Sequence, residues 1–329
     1  MIIKGNKVAV TGAGGFIGSH LTEELVKRGA NVKALVHYNS LNSWGNLEHL
    51  EKKILNEVEV IPGDILDQGL MKTFFKDVDV VFHLAALISI PFSYQAPLLF
   101  FKVNVEGTIN VLQACMEREV SKVVVTSTSE VYGTAVYTPI DESHPLQGQS
   151  PYSASKIGME KTAQSFYCSF DAPVAVIRPF NTFGPRQSSR AIIPTIITQA
   201  LTKNEIKLGS TSPVRDVTYM LDIVDGFIKI AESEVSVGEV INIGYGKGYS
   251  IKEFVEEVQK VVGKELKIVK DKTRLRPEKS EVMELVCSNE KAKKLLNWSP
   301  KHSLQEGLRL TKEYLENNLD SYKEELYNI

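Results

Sequence analysis

The chain has 329 residues, 43% of them hydrophobic and 24% charged, with a net charge of −2. That length can bury one large core or two, and the balanced charge leaves no footprint for nucleic acid. No apolar run reaches the ~18 residues of a membrane span, and three scattered cysteines (Cys115, Cys168, Cys287) with six scattered histidines make neither a disulfide framework nor a metal site.

Met1-Ile2-Ile3-Lys4 runs almost directly into the first apolar stretch, leaving no room for a secretory leader; a reducing cytoplasm is the expected home. Lys7 to Thr11 is a β-branched run that stops at Gly12-Ala13-Gly14-Gly15-Phe16-Ile17-Gly18, after which Leu21, Leu25 and Val26 recur at helical spacing. This reads as strand, tight loop and helix. The glycines at 12, 15 and 18 let the backbone approach a pyrophosphate, and the helix start offers free N–H groups to it. Phe16 and Ile17 lie at that helix start, and Gly18, without a Cβ, would let the helix lie close to the strand.

Asn31 to Val36 is a second strand. Dinucleotide folds that prefer NAD place an acidic residue at its end, and those that prefer NADP often place an arginine nearby. Here His37, Tyr38, Asn39 and Ser40 follow, so NAD and NADP both remain open. The loop from Asn39 to Leu47 is long for such a connection; its Trp44 reads equally as a functional residue or as ordinary packing. Val58 to Ile61 is a third strand, ending at Gly63-Asp64-Ile65. Asp64 could accept from an adenine amino group or close an Asx turn. Val78 to Leu84 is a fourth strand, and Ala85-Ala86 after it leaves a small-residue gap for a cofactor. Phe101 to Met116 is helical and Lys122 to Thr126 is a fifth strand. Strands alternating with helices argue an α/β fold with a doubly wound parallel sheet and ligands at the carboxyl ends of its strands.

Pro151 and Ser153 suit a helix start, and that helix runs to about Phe170. Val174 to Ile177 is a sixth strand. Beyond Gly184 the rhythm breaks: Ala191 to Leu201 is helical, Val214 to Tyr219 extended, Asp222 to Ala231 helical, Val240 to Ile243 a short strand, Ile251 to Val262 an amphipathic helix, Asp271 to Pro277 a charged loop, and two helices near Glu290–Leu296 and Leu304–Asn318 close the chain. This predicts a dinucleotide-binding domain at 1–180 and 217–246 and a smaller mixed α/β substrate-binding domain at 181–216 and 247–329.

The chemistry concentrates after the fifth strand, at Ser127-Thr128-Ser129-Glu130-Val131-Tyr132-Gly133 and Pro151-Tyr152-Ser153-Ala154-Ser155-Lys156. Tyr152 and Lys156 share a helix face. A nearby ammonium favours the phenolate, and the positive ring of an oxidised nicotinamide would push the same way, so Tyr152 is the expected base toward an alcohol. Thr128 could donate to the same substrate oxygen.

Gly12-x-x-Gly15-x-x-Gly18, Tyr152-x-x-x-Lys156 and Arg178-Pro179-Phe180-Asn181-x-Phe183-Gly184-Pro185 together resemble the extended short-chain dehydrogenase/reductase superfamily over nearly the whole chain. The resemblance implies a Rossmann sheet, a tightly held NAD(P) and a nucleotide-diphosphate sugar substrate. It assigns Gly12, Gly15, Phe16, Ile17, Gly18, Asp64, Ile65, Leu84, Ala85, Ala86, Tyr152 and Lys156 to the cofactor, and Arg215, Arg276 and Asn181 to the substrate. Arg186 and Arg274 are weaker candidates, equally readable as surface arginines, and Asp216 is expected to orient Arg215. It also implies a homodimer through a four-helix bundle of Phe101–Met116 and Ser153–Phe170.

Glu130 narrows the resemblance. Simple 4-epimerases of the superfamily carry a small or hydroxyl residue there, whereas 4,6-dehydratases and UDP-glucuronate decarboxylases carry a glutamate. Thr128-Ser129-Glu130 matches the GDP-mannose dehydratase type, in which a serine replaces the aspartic acid of the dTDP-glucose type. Ser129 is too weak an acid for that aspartate's task, so Glu130 would serve as base and acid. The runs Asn39-Ser40-x-Asn42-Ser43-Trp44-Gly45, Leu146-Gln147-Gly148-Gln149-Ser150-Pro151-Tyr152 and Arg274-Leu275-Arg276-Pro277-Glu278-Lys279-Ser280-Glu281 are similar to bacterial dehydratases of the legionaminic-acid pathway. That similarity implies a GDP- or UDP-linked N-acetylglucosamine as substrate. A uronate decarboxylase and a 4-epimerase are the alternative enzymes; a dinucleotide-binding regulator is the non-enzymatic one, and it would have no use for Tyr152, Lys156 and Glu130 together.

Overall fold

The computed structural model describes residues 3–322; Met1 and Ile2, on which the expectation about a leader partly rests, lie outside the described residues. Its strands are β1 (Lys7–Thr11), β2 (Asn31–His37), β3 (Val58–Gly63), β4 (Val80–His83), β5 (Lys122–Thr126), β6 (Val174–Pro179), β7 (Asn181–Phe183), β8 (Glu205–Leu208), β9 (Val214–Tyr219), β10 (Val240–Ile243), β11 (Gly248–Ser250), β12 (Lys267–Lys270) and β13 (Glu284–Leu285). Seven of them form one sheet in the order β10-β6-β5-β4-β1-β2-β3. Every pairing in it is parallel.

Alternation along the strands divides the interior into two cores. Val8, Val10, Val80, Phe82, Val124, Ala175 and Ile177 face one side, against Leu21 and Leu25 of the helix Phe16–Lys27 and Ile223 and Phe227 of the helix Met220–Glu232. Ala9, Val81, Val123, Val125, Val174 and Val176 face the other, against the helices Gln68–Phe74, Gly107–Glu117 and Pro151–Phe170. Both faces are covered, as the near-continuous apolar strands require. The order reverses between β1 and β4, which opens a crevice at their carboxyl ends.

β7, β11 and β13 build a second, mixed sheet around β9. β11 pairs with it antiparallel, while β13 and β7 pair with it in parallel. β8 and β12 form a separate parallel pair. The sequence reading found β9 but not its short partners. It also read Phe101–Met116 as one regular helix, whereas Pro97–Phe101 passes through a π-helical turn at Lys102–Glu106 before Gly107–Glu117. Among the described residues no helix is long and apolar enough to cross a membrane.

The helix Pro151–Phe170 starts where expected. Ser150 caps the Ser153 N–H, Ser153 returns the bond to the Ser150 N–H, and Pro151 occupies the first turn, where its missing N–H costs nothing.

Candidate active site

A cleft of about 890 Å³ runs from the glycine-rich loop, across the ends of β4 and β5, to the mixed sheet. Gly12, Gly15, Phe16, Ile17, Gly18, Leu84, Ala85, Ala86, Thr128, Ser129, Glu130, Tyr152, Lys156, Asn181, Arg215 and Arg276 all line it. Residues far apart in sequence are thus gathered on one surface.

At its first end the backbone is packed too tightly for side chains. A Cβ on Gly18 would lie 2.2 Å from the Gly12 carbonyl oxygen, and one on Gly12, whose φ is +71°, would lie 2.8 Å from the Ala85 nitrogen. The helix Phe16–Lys27 begins at Gly15 without a side-chain cap and without an acidic residue in its first turn, so its leading N–H groups face the cleft as anion donors. The loop after β2 closes over this end. The Asn46 N–H donates to the Gly14 carbonyl at 2.9 Å, and a Cβ on Gly45 would lie 2.6 Å from that same oxygen. Trp44 lines the cleft beside it. The cradle fits the pyrophosphate of a dinucleotide.

Asp64 and Ile65 are placed differently. Asp64 Oδ1 accepts from the Leu66 N–H at 2.9 Å, which is the Asx turn, and Oδ2 lies 3.8 Å from His37 Nδ1. Ile65 is buried against Gly107. Neither is among the cleft-lining residues. Asn39, at the end of β2, spends its side chain on its own loop, with Nδ2 donating to Ser43 O at 2.8 Å and Oδ1 accepting from Leu41 and Ser43.

A buried polar chain backs the cradle. The Ala85 N–H donates to Thr11 Oγ1, which lies 2.8 Å from His83 Nδ1; His83 Nε2 is 2.9 Å from Thr108 Oγ1, which donates to Asn104 O. Thr108 has given its one proton, so His83 carries its own on Nε2 and accepts at Nδ1. Burial and the nearby Lys156 charge push His83 down to about 3, which keeps it neutral. Asn104, in the π-helical turn, holds both the backbone of Leu87 and the Ser155 hydroxyl. No local pattern in the chain points to this residue.

β5 delivers Thr126, Ser127 and Thr128 to the cleft. Thr128 caps the short turn Ser129–Tyr132 by accepting from the Glu130 N–H at 3.2 Å, and it lines the cleft with Tyr152. The Tyr152 ring stands edge-on to Phe100, with centroids 6.2 Å apart. Burial, with a smaller push from Glu130, raises the phenol above its usual range. Lys156 does not oppose this as expected. Its ammonium turns to the Thr126 carbonyl at 2.8 Å and to Met159 Sδ, and burial pushes it down to about 7. The phenol is therefore protonated in this arrangement.

At the far end Arg215 is buried, donating to Val214 O at 3.0 Å and to Glu281 Oε1 at 3.3 Å. Arg276 Nη1 lies 3.7 Å from that same carboxylate oxygen and makes no hydrogen bond among the described residues. Burial pushes Arg215 down, and Arg276 adds to the effect, while Glu130 and Glu281 oppose it. Asn181 Oδ1 is also buried without a hydrogen-bond partner among the described residues. Glu281 was not foreseen: nothing local distinguishes it until β13 and β9 bring it between the two arginines. Arg274 and Arg190 also line the cleft.

Two further expectations are corrected. Asp216 does not orient Arg215, because consecutive strand residues point to opposite faces; its carboxylate accepts from the N–H groups of Tyr245, Gly246 and Cys287. Arg186 is absent from the cleft lining and pairs instead with Glu23 at 2.6 Å on the helix behind the loop.

The family described as GDP-mannose 4,6 dehydratase matches residues 9–311. The dTDP-D-glucose 4,6-dehydratase of Homo sapiens is 31% identical over 327 residues, 96% of this chain and 92% of that protein. A UDP-N-acetyl-alpha-D-glucosaminuronate decarboxylase of Bacillus cytotoxicus is 32% identical over 268 residues, 79% of this chain and 81% of that protein. Among solved structures, DesIV from Streptomyces venezuelae, a dTDP-glucose 4,6-dehydratase with NAD and TYD bound, superposes with a TM-score of 0.85 at 27% identity, covering 96% of this chain and 99% of that one.

Proposed function

The chain belongs to the GDP-mannose 4,6-dehydratase family of NAD-dependent nucleotide-sugar enzymes, and within it we propose that it is a 4,6-dehydratase acting on a GDP- or UDP-linked N-acetylglucosamine. The observation that carries the reading is Glu130. It lines the cleft close enough to Tyr152 and Arg215 to act on the charge of both, where a plain 4-epimerase needs no second base. The runs that resemble legionaminic-acid dehydratases support the N-acetylhexosamine.

The glycine cradle with Leu84, Ala85 and Ala86 would hold the cofactor. NAD, when bound, would supply the acceptor for the C4 hydride that leaves as the 4-hydroxyl proton is taken, the donor that returns that hydride to C6, and a positive ring that lowers the phenol. Tyr152 takes the proton of the sugar 4-hydroxyl, and Thr128 holds the same oxygen. The resulting C4 ketone acidifies the C5 proton, which Glu130 removes. Glu130 then gives its proton to the C6 hydroxyl, which departs as water. Elimination leaves a C5–C6 double bond; addition of the hydride borrowed from C4 at C6, and of a proton at C5, would complete the 4-keto-6-deoxy sugar. Arg215 and Arg276 grip the diphosphate, as forked cations suit, and Asn181 meets a sugar or phosphate oxygen. On this reading residues 1–180 and 217–246 serve the cofactor, and 181–216 and 247–329 serve the substrate. Exposed Phe101, Tyr167 and Phe170 support a homodimer through the two helices named above.

The test is product mass spectrometry after incubation with NAD and GDP-, UDP- and dTDP-linked N-acetylglucosamine. Loss of one water is expected from at least one of the first two. Unchanged mass with inverted C4 configuration would make the enzyme an epimerase. The similarity to the Bacillus cytotoxicus protein favours a second reading, decarboxylation; carbon dioxide release from a nucleotide-linked uronic acid, with no dehydration, would establish it.

A further inference from the structure

We propose that Arg178 is a positioning residue that locks the turn carrying Glu130 to the helix carrying Tyr152 and Lys156, an assignment that rests on the dehydratase reading. Arg178 lies at the end of β6 and is 3% exposed. Its Nε donates to Glu160 Oε2 at 2.9 Å and its Nη2 to Oε1. Glu160 follows Lys156 by four residues and Tyr152 by eight, so all three share one face of the helix. The remaining fork, Nη1, donates to the Tyr132 hydroxyl at 2.6 Å. Tyr132 ends the turn Ser129–Tyr132, two residues after Glu130, and passes its own proton to Asn242 Oδ1 on β10 at 2.7 Å. Ser127, at the exit of β5, donates to Glu160 Oε2 at 2.8 Å. One guanidinium therefore joins the helix of the phenol to the turn of the carboxylate.

Arg178, Glu160 and Tyr132 are not among the cleft-lining residues, so none is placed to touch substrate. Stability alone does not call for such a pair, since well-packed apolar residues often replace a buried ion pair without loss. Apolar residues cannot fix direction and spacing across three separate segments. The proposed chemistry needs that spacing, because the phenol acts at C4 and the carboxylate at C5 of one sugar ring, and a 1 Å misplacement can cost about 10²-fold in rate.

The experiment uses the full-length enzyme with NAD and the nucleotide sugar that the wild type dehydrates. Single-turnover absorbance of the reduced cofactor reads C4 oxidation, and deuterium uptake at C5 from heavy water reads the carboxylate's step. Tyr132→Phe keeps the ring and removes the oxygen that Arg178 holds. Oxidation should stay within about threefold of wild type while C5 exchange falls about tenfold or more. Arg178→Lys, which keeps a charge for Glu160 but loses the fork, should show the same split. An equal fall in both readouts, or no fall in either, overturns the assignment. Wild-type oxidation without any C5 exchange would sink the dehydratase reading itself, and this assignment with it, before any substitution is made.

Discussion

Gly18→Ala sets two backbone effects against each other, and their magnitudes decide the outcome. Alanine inside a helix is better than glycine by about 1 kcal/mol, so propensity alone predicts a more stable protein. The new Cβ, however, would sit 2.2 Å from the Gly12 carbonyl oxygen, 2.9 Å from Ala13 Cα and 3.0 Å from the Gly12 carbonyl carbon. All three are backbone atoms that cannot rotate away, and the first is about 1 Å inside ordinary contact. Overpacking of this kind costs about 1–3 kcal/mol, and the rigid neighbours place it at the upper end. The net expectation is a loss of about 2 kcal/mol. The helix must lift off the loop, which turns its leading N–H groups away from the pyrophosphate, so NAD affinity should fall about tenfold or more. Thermal unfolding measures the first effect, and quenching of Trp44, which lines the cleft, measures the second. Gly69→Ala is the control, because its Cβ meets only an Asp67 carboxylate oxygen at 3.3 Å. If Gly18→Ala matches that control in stability and binds NAD as tightly as wild type, the close-packing argument is wrong.

The other expectations concern chemistry and pH. Glu130→Gln should keep C4 oxidation, read as cofactor reduction, while slowing elimination about 10²-fold or more; undiminished C5 deuterium uptake would count against the carboxylate. Tyr152→Phe should lower turnover by about 10²–10⁴-fold, measured by product formation, and an unchanged rate would remove the phenol from the mechanism. His20 is pushed down to about 4, chiefly by burial and then by Arg186, and His83 to about 3, so the unfolded chain binds protons that the folded one refuses. Their contribution is complete above about pH 6.5 and is lost as pH falls toward the folded values. Urea unfolding should therefore lose on the order of 1 kcal/mol per pH unit per histidine between pH 6.5 and 4, and His20→Gln should flatten that slope. A pH-independent stability across this range would contradict the burial argument.

The sheet was legible because its central strands are buried on both faces and so read as largely β-branched apolar runs, β1 closed by glycines and β5 by hydroxyls. The cradle was legible because glycine spacing is itself the physical requirement. What escaped depends on contacts between distant residues. The π-helical turn at Lys102–Glu106 forms where Asn104 meets Leu87 and Ser155, and no local pattern encodes that meeting. Glu281 acquires its place only when Arg215 and Arg276, 61 residues apart in the chain, converge on it. The Asn39–Leu47 loop looked long because its purpose is a backbone contact between Gly14 and Gly45. Asp216 was misread because proximity in sequence stood in for direction, and a strand turns neighbours to opposite sides.

The order β10-β6-β5-β4-β1-β2-β3 also has a bearing on biosynthesis. Six of the seven strands emerge from the ribosome by residue 179 and can pair among themselves, but β6 must wait some sixty residues for β10 to cover its far side. Until then the nascent chain presents a hydrophobic, unpaired border at Val174–Pro179, the kind of template on which chains stick to one another. Chaperone demand during synthesis should therefore peak between the completion of β6 and the arrival of Val240.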